Sequence, residues 1–193
     1  LLRHARAQGE LDHPIATCLT IHNLVYQGVY SSNVFAMTNM PWGYFNPSET
    51  EFYGNFNFLK TGIVFADQLT TVSPRYAQEI QGQEYGANLN GVLNKRADSL
   101  TGILNGADYD VWNTSNNPSL AAGYSIDDMS GKARDKAALQ ERMGLPVEPN
   151  IPLFGNIGRM AEQKGIDIMV QALEDMLYGD IQFICLGSGS DHY

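Results

Sequence analysis

The chain has 193 residues, with 12 Lys+Arg against 21 Asp+Glu and a formal net charge of −9. Apolar residues make up 44% and charged ones only 17%, which excludes a disordered or collagenous chain and leaves ample core for one large domain or two partial ones. The acidic balance argues against a nucleic-acid-binding domain, so any anionic ligand needs a local cationic pocket.

Short apolar runs alternate with helical patterns. Residues 15–21 (IATCLTI) read as a buried strand ending at His22-Asn23. Residues 51–65 read as one helix, with Phe52, Phe56, Leu59 and Ile63 on a single face. A strand over 68–72 follows. Ser73-Pro74 then supplies an N-cap and a first-turn proline for a helix through Ile80. A third strand spans 100–104 and closes at Asn105-Gly106. Beyond it, residues 112–123 form a loop rich in Asn, Ser and Pro. The spacing predicts a helix over 132–143, stopped by Gly144 and Pro146. Residues 153–157 are a strand and 166–177 a helix with Met169, Leu173 and Met176 inward. Residues 181–186 are the last strand. This alternation predicts an α/β fold with parallel sheets and helices on both faces. The boundary between two α/β units falls near Gly106 to Trp112, where the strand pattern breaks.

Cys18 and Cys185 stand far apart, each in an apolar run, with no Cys-x-x-Cys and no Cys/His cluster. Neither a disulfide framework nor a zinc site is expected, and buried free thiols in a reducing compartment are. No apolar run reaches the roughly 18 residues of a membrane-spanning helix. Asn113-Thr114-Ser115 matches a glycosylation sequon by chance. Both ends read as cut. The chain starts at Leu1 in a helix-like stretch through Gln8, and it stops at Tyr193 where a further helix is expected after a Gly-rich turn.

In open α/β sheets, ligands bind beyond the carboxyl ends of strands. Three such ends carry polar residues. His22 follows the first strand, and a lone histidine there often only caps a loop. Its neighbours Asn23, Tyr26 and Gln27 favour a polyhydroxyl site, because sugars need convergent donors and acceptors beside aromatic faces. Arg159 and Lys164 lie between a strand and a helix, with Gly165 opening the helix. A planar fork and a mobile point charge at a helix N-terminus suit a leaving diphosphate. In a chain poor in cations this outweighs two solvated surface charges. Gly187-Ser188-Gly189 follows the last strand, where glycines let backbone approach a ligand, although any tight turn wants glycine. Asn105-Gly106 reads as a turn and Trp112 as a packing anchor.

On these residues the chain resembles bacterial glycogen synthases, the ADP-glucose-using retaining glucosyltransferases related to plant starch synthases. The matching stretches are TIHNLVYQG (20–28), EFYGNFNFLKTG (51–62), ADQLTTVSPRY (66–76), GILNGADYDVW (102–112), KAALQERMGLP (136–146), GRMAEQKG (158–165) and LGSG (186–189). The resemblance implies a GT-B fold, two facing Rossmann-like domains with the site in the cleft, both incomplete in an internal fragment. Residues 1–106 would be the later part of the N-terminal, acceptor-side domain. Residues 107–193 would be the early part of the C-terminal, nucleotide-sugar-binding domain.

The resemblance further implies that His22 contacts the transferring sugar and Asn23 lines the acceptor or glucosyl pocket. Tyr26 and Gln27 would share that pocket. Asn105 would sit near the hinge and the sugar nucleotide, Arg159 and Lys164 would hold the ADP diphosphate, and Gly187, Ser188 and Gly189 would border the nucleotide. The expected partners are ADP-glucose and an α-1,4-glucan, with no nucleic acid, membrane, metal or cofactor, in the cytoplasm. Gly158 and Ala107 stand where Ser and Ile are usual. A Lys-x-Gly-Gly loop and a Glu-Pro-x-Gly-Leu stretch of the family are absent, so the 193 residues alone are expected to be inactive and poorly stable, with open sheet edges. Two other readings stay open: another sugar-nucleotide donor in the same fold, and a non-catalytic glucan-binding remnant.

Overall fold

The computed structural model describes residues 2–11, 13 and 15–189. It divides into two compact units, residues 1–106 and 107–193.

The first unit opens with helix α1 (Leu2–Ala7); Leu1 of the expected helix lies outside the described residues. Three short strands then form a parallel sheet: β1 (Cys18–Ile21), β5 (Gln68–Thr71) and β6 (Leu100–Gly102), in the order β1-β5-β6. Ile21 pairs with Thr71, and Thr71 with Gly102, so all three carboxyl ends lie on one sheet edge. Helix α4 (Pro74–Glu79) follows β5. Ser73 caps it as expected, its hydroxyl accepting from Tyr76 N–H at 2.9 Å. Ile21, Leu24, Ile63, Leu69, Ile80, Leu89 and Leu93 form the core beneath the sheet.

The segment expected as one helix over 51–65 is not one helix. Its first half is a hairpin of β3 (Glu51–Phe52) and β4 (Asn55–Asn57), and only α3 (Phe58–Phe65) is helical. Tyr53 and Gly54 both take positive φ, 49° and 81°, which is the two-residue turn that matches strand twist. An apolar periodicity carried by Phe52 and Phe56 fits a helix and a hairpin alike, and the Gly at the turn decides. β4 also pairs with β2 (Val29–Tyr30), giving a small antiparallel sheet in the order β2-β4-β3. Helix α2 (Ser32–Met37) lies between β2 and this hairpin in sequence, and its buried Phe35 packs edge-on against Phe56.

Helix α3 is tied at both ends. Asn57 caps its start, with Oδ1 accepting from Lys60 N–H at 2.8 Å. At its far end the Arg96 guanidinium, beyond helix α5 (Asn90–Asn94), donates to the carbonyls of Ile63, Val64 and Ala66 at 2.7–2.9 Å. Lys60 is itself buried. Its Nζ donates to the carbonyl of Pro47 at 2.6 Å and to that of Glu51.

The second unit holds helix α6 (Ser130–Arg142), strand β7 (Leu153–Ile157), helix α7 (Ile166–Met176) and strand β8 (Gln182–Leu186). β7 and β8 pair in parallel across five residue pairs. Met169, Leu173 and Met176 are the half-buried stripe of α7, as its spacing predicts, with Ile166 fully buried at its start. A buried pair, Gln140 and Gln182, joins α6 to β8.

Two further expectations fail. Cys18 and Cys185 are both exposed. Each lies on a strand that ends a sheet among the described residues, so apolar sequence around a thiol does not bury it. Trp112 is 72% exposed, at the end of a turn closed by its N–H on the Asp108 carbonyl at 2.8 Å, and does not pack as the expected anchor. Among the described residues no helix is long and apolar enough to cross a membrane.

Candidate functional site

Residues 22–28 leave the carboxyl end of β1 as a loop and dock on the first turn of α3. The Gln27 carbonyl accepts from Leu59 N–H at 3.0 Å, and that of Gly28 from Phe58 N–H at 3.1 Å. With the Asn57 side chain on Lys60 N–H, three free donors of a helix start are satisfied. Leu24 is fully buried, and its N–H donates to Tyr76 Oη at 3.1 Å. The anchored loop leaves His22, Val25 and Tyr26 exposed. His22 is exposed and Tyr26 is 69% exposed, and neither has a hydrogen-bond partner among the described residues. Asn23 is half-buried, its Oδ1 accepting from Val25 N–H at 3.0 Å, which leaves its amide N–H groups free to point outward.

Gln27 also bonds within the protein. Its Nε2 donates to the Ala87 carbonyl at 2.8 Å, and its Oε1 accepts from Asn57 Nδ2 at 2.7 Å. A carboxamide bonded on both sides within the protein holds the loop, and one N–H and one lone pair remain beyond these bonds. Asn105 is exposed two residues beyond the backbone contact of Ile103 N–H with the Thr71 carbonyl. It therefore shares the carboxyl edge of the β1-β5-β6 sheet with His22, one strand intervening. Ordinary strand spacing sets the two strand ends about 10 Å apart.

In the second unit, β7 and β8 continue their pairing past the ends of the strands. Gly158 N–H donates to the Leu186 carbonyl at 3.1 Å and Met160 N–H to the Ser188 carbonyl at 3.0 Å. A parallel bridge joins Met160 to Gly189. Arg159 and the Gly187-Ser188-Gly189 turn thus lie side by side at the carboxyl edge of this sheet. A Cβ on Gly187 would stand 2.1 Å from the Gly158 carbonyl oxygen, and one on Gly189 2.1 Å from that of Met160. The backbone these glycines admit is the neighbouring loop of the chain itself. A single helical turn, Glu162–Lys164, brings Lys164 to Gly165, whose left-handed φ of 70° starts α7. Arg159 and Lys164 are exposed and make no ion pair or hydrogen bond by their side chains among the described residues. Two unneutralised cations near a helix N-terminus can attract an anion in an acidic protein.

Sequence reasoning passed over Asn57, Lys60 and Arg96. Placing residues 51–65 in one helix put Asn57 mid-helix and hid its capping role; an Asn three residues before Lys60 was the available signal.

Comparison with known proteins bears on what these two loops do. A family profile described as the starch synthase catalytic domain matches residues 1–95. The glycogen synthase of Anaeromyxobacter sp. (strain Fw109-5) is 48% identical over 189 residues, 98% of this chain and 40% of that protein. That of Thioalkalivibrio sulfidiphilus (strain HL-EbGR7) is 49% identical over 175 residues, 90% of this chain and 36% of that one. Among solved structures, the catalytic domain of Starch Synthase IV from Arabidopsis thaliana, bound to ADP and acarbose, superposes with a TM-score of 0.82. It is 36% identical and covers 89% of this chain and 36% of its own.

The chain belongs to the glycogen and starch synthase family. Its fold class is the α/β GT-B fold of these glycosyltransferases, with parallel strands in each unit. The chain spans about two-fifths of the length of the curated glycogen synthases it matches. The match to the glycogen synthase of Anaeromyxobacter sp. (strain Fw109-5) runs through both units, so both the loop after β1 and the loop after β7 are family segments.

Proposed function

We propose that the protein containing this chain is a glycogen synthase, a hexosyltransferase that moves glucose, with retention, from ADP-glucose to the non-reducing end of an α-1,4-glucan. The observation that carries this reading is the pair Arg159 and Lys164, exposed, unneutralised and set at the start of α7 beside a glycine turn. The Arabidopsis neighbour that holds ADP and acarbose supports both a nucleotide donor and a glucan acceptor.

The chemistry follows from charge. Breaking the bond between the glucosyl carbon and the diphosphate builds negative charge on the leaving oxygen and positive charge on the sugar. Arg159 and Lys164 stabilise the first. His22, presented by an anchored loop, faces the second, with its carbonyl or ring nitrogens toward the sugar. Asn23 and Tyr26 supply a donor and an aromatic face for the transferring glucose or the acceptor. Asn105 serves the sugar nucleotide, and Gly187, Ser188 and Gly189 border it. On this reading residues 1–106 serve the acceptor and residues 107–193 the nucleotide sugar. The two cations take the place a metal ion holds in other sugar transfers, so no cofactor is needed beside the donor. The reaction belongs in the cytoplasm, where ADP-glucose and glucan meet.

Replacing Arg159 or Lys164 by Ala in the complete protein should cost about 2–4 kcal/mol of transition-state stabilisation, roughly 30- to 1000-fold in turnover. Turnover equal to wild type in both variants defeats the assignment. Competition between ADP-glucose and UDP-glucose, read by glucan chain extension, tests the donor.

A further inference from the structure

The loop bearing His22 rests on a relay of two carboxamides. The Lys60 N–H donates to Asn57 Oδ1, Asn57 Nδ2 donates to Gln27 Oε1, and Gln27 Nε2 donates to the Ala87 carbonyl, at 2.8, 2.7 and 2.8 Å. Asn57 is wholly buried and Gln27 half-buried. The relay therefore clamps residues 22–28 between the first turn of α3 and the loop at Ala87, a residue itself in the left-handed region with φ 46°.

The cap of α3 does not require this clamp, since Asn57 Oδ1 alone satisfies Lys60 N–H. Nor does packing supply it. Val25 and Tyr26 are both 69% exposed and leave Leu24 as the one buried apolar residue of the loop. His22 has no side-chain partner among the described residues, so its place is set by the backbone of its own loop. Gln27 and Asn57 are the side chains that set that backbone at the end away from β1.

We propose that Gln27 and Asn57 are positioning residues for glucosyl transfer, acting through the His22 loop. This rests on the role given to His22 above. The relay adds side-chain bonds at residue 27 to the backbone bonds of Gln27 and Gly28 on α3 and the Leu24 bond to Tyr76, and together these hold the loop that carries the outward-facing histidine. Misplacing a catalytic group by about 1 Å can cost on the order of a hundredfold in rate.

The experiment uses the complete enzyme and three variants. Gln27→Met removes both side-chain bonds while keeping volume. Asn57→Asp keeps the helix cap, since a carboxylate accepts Lys60 N–H, but cannot donate to Gln27. His22→Ala is the reference. Both relay variants should lower kcat by about 10- to 100-fold. ADP affinity, measured by calorimetry, should stay within about threefold, because the diphosphate site belongs to the other unit. Gln27→Glu keeps the acceptor for Asn57 and should recover part of the lost kcat. A kcat within about twofold of wild type in both relay variants, with His22→Ala inactive, overturns the proposal. So does a loss of ADP affinity parallel to kcat, which marks general damage. Wild-type turnover in His22→Ala overturns instead the reading of His22 itself. Should Gln27→Met fail to fold, Asn57→Asp decides by the same criteria.

Discussion

Replacing Gly187 by Ala should separate two loops that the second unit holds together. Its Cβ would stand 2.1 Å from the Gly158 oxygen, whereas ordinary contact begins near 3.4 Å. The opposing atom is backbone and cannot swing aside, so the two segments must part by about 1 Å or more. That lengthens the Gly158-to-Leu186 and Met160-to-Ser188 bonds, now 3.1 and 3.0 Å, past the bonding range. Two lost bonds cost about 1–3 kcal/mol together. Overpacking adds about 1–3 kcal/mol. Arg159 lies between the two displaced residues, so its guanidinium moves with them. In the complete protein, urea unfolding should register a loss of about 2–6 kcal/mol. ADP titration should register an affinity lower by about tenfold, the equivalent of about 1.4 kcal/mol. Gly155→Ala, whose Cβ would meet nothing within 4 Å, is the control and should match wild type. A Gly187→Ala protein with wild-type stability and ADP affinity would refute the argument that this glycine is required by the adjacent backbone.

Lys60→Met should keep the apolar stem but leave the Pro47 and Glu51 carbonyls without their donor, for a net loss of about 1–3 kcal/mol in urea unfolding. Burial holds the Lys60 ammonium below its ordinary value of 10.5, partly countered by Glu51. Between the folded and unfolded values the native state binds fewer protons, so this group's contribution to stability rises with pH, and the gap between wild type and variant should widen from pH 7 to 10. Parallel pH profiles would contradict it. Asp67 shifts the other way at the acid end. The Thr17 hydroxyl and backbone N–H, at 2.8 and 2.7 Å, hold its carboxyl below the ordinary 3.8, with Arg6 assisting. Its contribution is present above the unfolded value and is lost as pH falls through the folded one. Asp67→Asn should lower the neutral-pH midpoint and flatten the acid limb below about pH 4; superimposable limbs would count against it.

Local signals marked much of the fold. Ser73-Pro74 starts a helix wherever it meets helical periodicity, because the hydroxyl and the fixed φ act within one turn. Apolar strands ending in polar residues placed His22 and Arg159 at sheet edges for the same reason. The 51–65 segment shows where local information stopped. Its apolar spacing serves two structures, and the pairing of β4 with β2, twenty-six residues earlier at the closest, excluded the longer helix. The exposure of Cys18, Cys185 and Trp112 likewise depends on what lies across from each, which no window of sequence contains.

The amino-acid sequence by itself determined the family, the strand–helix alternation and the positions of the exposed polar residues, since those depend on neighbours along the chain. Tertiary structure alone decided which polar groups were already spent. Gln27 meets Ala87 sixty residues away and Asn57 thirty residues away, and Gly187 faces Gly158 across a strand pair. A buried carboxamide or a crowded glycine takes its role from the partner that satisfies or excludes it, and only the folded chain brings that partner within hydrogen-bonding distance.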